Sequence, residues 1–278
     1  MKQVAVVLFL LTQIAFGQSG QRPASVSASD AQAVPPIKIF DNFYYVGNTY
    51  VSAYVLKTSA GLIMIDALHD QWTRISLDAM TRAGLNPKDI KYLIVTHGHQ
   101  DHFGGAKAVK DLSGARVALT EADWKLMEGG RDSAAAPKRD MVITEGQALT
   151  LGDTTIKFYV TPGHTPGVAS MEFPVFDGGK QYKAFLFGGH NVTSNQPQAF
   201  EQMIESVKRL SSTLTGVSAY FTSHPWAASV VEKGEKIKFR KAGDPNPYIA
   251  PADFLAFMKE RLTDHETRLG QLRAQGTR

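Results

Sequence analysis

Apolar and polar positions change over in short runs along the first part of the folded stretch. Ile37 to Phe40, Phe43 to Val46, Val51 to Lys57 and Leu62 to Asp66 are β-branched and aromatic runs, separated by Asp41-Asn42, Gly47-Asn48 and Ala60-Gly61. That punctuation predicts four strands joined by turns. Trp72 to Ala83 predicts a helix closed by Gly84. Tyr92 to Thr96 is almost wholly apolar, as expected of a strand buried on both faces, and Gly104 to Leu112 predicts a helix.

The second half repeats the style. Strands are expected at Val117 to Leu119, Ala148 to Leu151, Thr155 to Val160, Met171 to Phe173, Ala184 to Phe187 and Ala219 to Thr222. Helices are expected at Glu121 to Met127, Gln198 to Leu210 and Ala252 to Ala274, the last with Phe254, Phe257, Met258 and Leu262 on one face. Strands flanked by helices in both halves predict an α/β protein, two sheets face to face with helices outside: a four-layer αβ/βα sandwich. No repeat at solenoid periods interrupts this pattern.

The N-terminus follows a different logic. Lys2 gives a short positive region, Val4 to Phe16 is mostly apolar, and Ala15-Phe16-Gly17 supplies a small-x-small cleavage pattern. This predicts a signal peptide over 1–17 and a secreted protein, with the periplasm as its expected destination. The apolar run falls short of the roughly 20 residues of a membrane span, so no stable membrane insertion is expected. Residues 18–36, rich in Ser, Ala, Gln and Pro and ending in Val34-Pro35-Pro36, are expected to be a flexible lead-in to a single domain over 37–278.

Composition narrows the chemistry. The chain of 278 residues is 43% hydrophobic and 20% charged, enough for an ordinary core. Its net charge of +4 is scattered rather than gathered into a basic stripe, so no nucleic-acid partner is expected. There is no cysteine. Disulfides, thiol nucleophiles and thiolate metal sites are therefore excluded, and any transition-metal site must be built from imidazole and carboxylate.

Such a site has an obvious place. Three of the eight histidines and one aspartate fall in Thr96-His97-Gly98-His99-Gln100-Asp101-His102, just past the buried strand. In a loop, the imidazoles of His97 and His99 can converge on one point while Asp101 and His102, at the following turn, address a neighbouring one. Gly98 relieves crowding where the backbone bends. Imidazole with carboxylate is the donor set that suits Zn²⁺ when sulfur is absent.

The stretch resembles the His-x-His-x-Asp-His signature of the metallo-β-lactamase superfamily. Leu62-Ile63-Met64-Ile65-Asp66 is similar to the family strand that ends in Asp, Thr161-Pro162-Gly163-His164-Thr165-Pro166-Gly167 to its Pro-Gly-His-Thr-x-Gly motif, and Ser223-His224-Pro225 to its last His motif. The resemblance runs from about Phe43 to Trp226 and implies the metallo-β-lactamase fold. It implies two Zn²⁺ per chain, the first on His97, His99 and His164, the second on Asp101, His102 and His224. Asp66 would accept hydrogen bonds that orient the loop of His97 and His99.

Within the superfamily, many hydrolases bridge their metals with an Asp after an apolar strand. Here that strand is followed by Gly188-Gly189-His190-Asn191, with no carboxylate. The arrangement resembles the third subclass of metallo-β-lactamases, which lacks the bridge and recruits the residue equivalent to His102. The resemblance implies a zinc-dependent hydrolase that opens a β-lactam or related cyclic amide or ester by attack of a zinc-bound hydroxide. Asp101 would be the catalytic residue orienting that hydroxide. The alternatives are a lactonase or a thioesterase-like glyoxalase II on the same fold, and a non-catalytic extracytoplasmic zinc-binding protein.

His190 departs from that subclass, which carries a small Ser at its position; a ligand role, a donor to substrate and simple space-filling all remain open for it. His69 carries little signal, and His265 is expected to be solvated on the last helix. Tyr44, Tyr45, Trp124, Met127 and Trp226 lie on segments the family places near the mouth, with packing as the favoured role. Thr193, Ser194 and Asn195 offer groups for a substrate carboxylate.

Overall fold

The computed structural model describes residues 28–69 and 71–276. The expected signal peptide and residues 18–27 of the expected lead-in lie outside them. Within the remainder of the lead-in, Ala33 bridges Asn48 and Val34 is buried against the sheet.

Seven strands form the first sheet in chain order: β1 (Ile37–Phe40), β2 (Phe43–Tyr45), β3 (Tyr54–Thr58), β4 (Gly61–Ile65), β5 (Ile90–Ile94), β6 (Arg116–Thr120) and β7 (Met141–Ile143). Hairpins join β1 to β4 antiparallel, and β4 to β7 run parallel. The second sheet has the order β12-β11-β10-β9-β8, from β8 (Ala148–Leu151), β9 (Thr154–Val160), β10 (Ala169–Asp177), β11 (Lys180–Phe187) and β12 (Val217–Thr222). Only β11 and β12 are parallel in it. Helices α1 (Gln71–Arg82), α2 (Gln100–Phe103), α3 (Ala106–Ser113) and α4 (Glu121–Gly129) belong to the first half. Helices α5 (Pro197–Thr213), α6 (Val230–Ile237) and α7 (Pro251–Gly276) belong to the second.

Alternation decides which face each residue covers. In β4, Ile63 and Ile65 enter the core between the sheets, while Leu62 and Met64 face the core under α1, α3 and α4. A strand apolar at every position is thus buried twice over. Phe43 knits the sheets together: its ring lies 5.1 Å from Tyr54, 5.0 Å from Phe173 and 4.9 Å from Phe221. Phe43→Ala is expected to cost about 3 kcal/mol or more, read as a lower urea midpoint with unchanged slope.

Four elements, β7, β10, β11 and α6, differ from the sequence expectation, each for a physical reason. Strands β10 and β11 are longer because Asp177-Gly178-Gly179-Lys180 makes a tight hairpin, both glycines having φ near the left-handed region (60° and 81°). Pro174 lies beyond the β9 pairing, where its missing N–H costs no ladder bond. Helix α6 escaped notice because Gly234 interrupts it; a Cβ there would overlap the Ile37 side chain, so the glycine lets α6 lie against β1. Strand β7 has only three residues and too short a period to register.

Parallel pairing brings the carboxyl ends of β4 and β5 to one edge, and likewise those of β11 and β12. Ala169 N–H donates to Thr96 O (2.8 Å) and Ser52 N–H to Ser223 O (2.9 Å), so the two sheets are tied along that edge. Among the described residues, no helix is long and apolar enough to cross a membrane.

Candidate metal centre

The six expected ligands converge there in two groups: His97, His99 and His164, and Asp101, His102 and His224, with donor atoms inside each group within 4.8 Å of one another. They come from the turn after β5, the loop after β9 and the end of β12. His164 Nε2 lies 3.0 Å from His97 Nε2 and 3.1 Å from His99 Nδ1. In the second group Asp101 Oδ2 lies 3.5 Å from His102 Nε2 and 4.0 Å from His224 Nε2. The rings of His97 and His102 approach to 4.0 Å between centroids, so the groups are neighbours.

Four rings have their inward nitrogen fixed by what the other nitrogen touches. His97 Nδ1 donates to Gly188 O (3.0 Å), His164 Nδ1 to Asn191 O (2.6 Å), His224 Nδ1 to Tyr50 O (2.7 Å) and His102 Nδ1 to the Asp66 carboxylate (2.8 Å). A neutral imidazole whose Nδ1 carries the proton presents a lone pair at Nε2. His97 and His164 thus aim two lone pairs at each other at hydrogen-bond distance, an arrangement that needs a cation between them. Nitrogens on a tetrahedral zinc at ~2.0 Å sit about 3.3 Å apart, close to what is seen. In the second group, His102 Nε2 is buried with no hydrogen-bond partner among the described residues. The donor set fits zinc.

Electrostatics agree. Burial, then the neighbouring rings, holds His97 well below the usual imidazole range and pushes His164 down to about 3. Burial and His102 push His224 down to about 4. Burial alone would lower His102, but Asp101 and Asp66 outweigh it and raise it. Burial alone would raise Asp101, but His102, His224 and His99 override it and hold the carboxyl below its usual range. Most of these rings are thereby kept neutral, the form that binds metal.

Asp66 follows β4 in left-handed backbone (φ 59°) and also accepts from Thr96 N–H (2.7 Å) and Thr96 Oγ1 (2.9 Å). It therefore holds both the start of the ligand loop and the ring of His102.

The metallo-β-lactamase superfamily model matches residues 46–175. Among solved structures, the subclass B3 metallo-β-lactamase of Bradyrhizobium japonicum matches with a TM-score of 0.78 at 30% identity, covering 87% of this chain and 96% of that one. The chain belongs to the metallo-β-lactamase superfamily. It is a metal-dependent hydrolase, and the superfamily's metal is zinc. The native metallo-β-lactamase of Legionella gormanii shares the superfamily fold at a TM-score of 0.80 and 24% identity, covering 87% of this chain and 98% of that one. Curated relatives bear another activity. Hydroxyacylglutathione hydrolase of Acidiphilium cryptum is 28% identical over 178 residues, 60% of this chain and 70% of that one. The enzyme of that name from Pseudomonas putida is 29% identical over 163 residues, 56% of this chain and 54% of that one, so the chain spans about half of its length.

A cavity of about 200 Å³ opens beside the centre, lined by Tyr50, His164, Thr193, His224 and Trp226 among others. Trp226 stacks obliquely on His224 (4.3 Å) and on Tyr50 (5.7 Å). Trp226 is thus at the mouth, whereas Tyr44, Tyr45, Trp124 and Met127 are buried in the core. Tyr50 was missed, since nothing in a Thr-Tyr-Val run marks a backbone carbonyl that orients a ligand.

His190 is 2% exposed, packs its ring 5.8 Å from Phe257, and among the described residues has no hydrogen-bond partner at either ring nitrogen. His265, expected to be solvated, is 5% exposed and donates to His190 O (3.0 Å), because α7 turns that face onto the loop after β11. Arg261, one turn earlier and 2% exposed, donates to Asn191 Oδ1 (2.9 Å). The last helix therefore secures the loop whose carbonyls orient His97 and His164.

Proposed function

We propose that the chain is a β-lactamase working with two zinc ions, one held by His97, His99 and His164 and one by Asp101, His102 and His224. The observation that carries this reading is His102. Its Nδ1 is locked to Asp66 and its Nε2 is turned into the second group, so this imidazole does the work of a ligand. The loop after β11 contributes only backbone carbonyls to the centre. One carboxylate among six donors leaves a strongly electropositive site, suited to an anionic substrate with a strained amide. The likeness to the subclass B3 enzyme over most of both chains supports the same choice.

Bound zinc would supply electrophilic polarisation of a carbonyl and activation of water near neutral pH. The chain's own residues do the rest. Asp101, ionised and partly exposed, accepts a hydrogen bond from the attacking water and aims it. Trp226 and Tyr50 form an aromatic wall against which the substrate lies, and Thr193, also lining the cavity, offers a hydroxyl. The leader read at 1–17 would put this activity in the periplasm.

The purified chain should be assayed against a chromogenic cephalosporin, a carbapenem, a panel of lactones and a hydroxyacylglutathione thioester, with and without chelator. Lactam turnover that chelation removes is the expected result. Turnover of the thioester or of lactones alone would transfer the assignment to the activity named for the curated relatives or to a lactonase. Zinc binding without turnover of any of them would leave a binding protein.

A further inference from the structure

Asp123 is 0% exposed, stands in the first turn of α4, and belongs to neither ligand group. Its Oδ2 accepts from Gly98 N–H (3.0 Å) and from Thr165 Oγ1 (2.7 Å), and its Oδ1 accepts from Gly167 N–H (3.0 Å). Gly98 lies between His97 and His99, and Thr165 follows His164. One carboxylate therefore grips both loops of the first group, one residue away from each ligand.

We propose that Asp123 is a positioning residue for the first metal alone, setting the separation of the His97–His99 loop from the His164 loop. The inference rests on the two-zinc reading above.

Three further observations support it. An acidic side chain at this point of a helix ordinarily reaches back to cap the helix's own first N–H, yet every side-chain hydrogen bond recorded for Asp123 goes outward to the loops. Both loops are also pressed against this one turn. A Cβ on Gly98 would fall 2.8 Å from Asp123 O, and one on Gly167 would overlap Thr120 Oγ1 and lie 3.0 Å from Asp123 N. Thr120, the residue capping α4, completes the clamp by donating to Gly167 O (2.5 Å). Lastly, the second group is anchored elsewhere, His102 on Asp66 and His224 on Tyr50 O. Asp66 also holds Thr96 beside His97, but Asp123 touches neither anchor of the second group, so a fault at Asp123 should leave that group intact.

The position tolerates little error. Productive sites are held to within about 0.5 Å, and the three nitrogens of the first group already stand near tetrahedral spacing. Asp123→Asn keeps the shape of the side chain but must turn an amide N–H₂ toward at least one of the three donors. A donor facing a donor forces one loop away.

The test uses the full chain in two backgrounds, His224→Ala, which leaves the first group whole, and His164→Ala, which leaves the second. Zinc affinity is measured against a chromophoric chelator, and cobalt(II) absorption reports the ligand field. Asp123→Asn is expected to weaken zinc about 10- to 100-fold in the first background, the usual loss when an outer partner of a metal site is removed, and to leave the second unchanged. Thr165→Val, which deletes a single donor and conserves volume, should show a smaller loss of the same kind and serves if the Asn variant fails to fold. An equal loss in both backgrounds, or none in the first, overturns the proposal. If neither parent background binds zinc, the two-zinc reading falls and takes this inference with it.

Discussion

His164→Ala is expected to lower kcat/KM by about a thousandfold or more, because preorganised electrostatic stabilisation and metal activation are both lost with a ligand. The same change is expected to leave the metal-free protein as stable as the wild type, or more so. In the metal-free fold His164 is a buried ring whose Nε2 lone pair meets that of His97 at 3.0 Å, and burial and His99 together push its pKa down to about 3. Removing it relieves repulsion as well as deleting packing. Zinc, by contrast, stabilises whatever it binds, by about 4 kcal/mol at a thousandfold excess over Kd. Thermal melting should therefore show a large zinc-dependent rise in Tm for the wild type and a smaller one for the variant, from similar metal-free baselines. Retained turnover with full zinc stoichiometry would refute the role given to His164.

The order of elements was legible because the signals that set it are local. The short apolar runs between turns in β1 to β4, the doubly buried run before His97, and the apolar face of α7 each follow from residue type at short range. The six candidate donors could be picked out for another reason: imidazole is scarce, and each donor carries its identity in its side chain. What escaped was the scaffolding behind them. His97, His164 and His224 are oriented by the carbonyls of Gly188, Asn191 and Tyr50, and a backbone carbonyl has no residue-type signature. Asp123 carries no sequence signal beyond that of an acid in a helix's first turn; its three partners lie 25 to 44 residues away in sequence. His265 reads as solvated in the sequence because a single histidine among charged residues gives no hint that the loop after β11 covers it.

Asp66 makes the sharper separation between folding and metal binding. Asp66→Ala removes the acceptor of Thr96 N–H, Thr96 Oγ1 and His102 Nδ1, all buried, and puts a residue without a polar side chain at φ 59°. Stranding one half of a buried pair costs about 3–5 kcal/mol, and left-handed backbone adds to it, so this variant should unfold at a much lower urea concentration. Asp66→Asn behaves differently. Asparagine accepts left-handed backbone well, and its Oδ1 can still receive Thr96 N–H, so most of the stability should survive. Its N–H₂, however, faces His102 Nδ1 and cannot accept from it. The ring then relieves the clash by moving its proton to Nε2, the nitrogen that should carry the ligand lone pair. Zinc titration of Asp66→Asn should accordingly show the second site weakened about 10- to 100-fold and the first, held from Asp123, unchanged. Two sites of wild-type affinity in this variant would mean that His102 is not oriented by Asp66, and the second metal site would need another explanation for its shape.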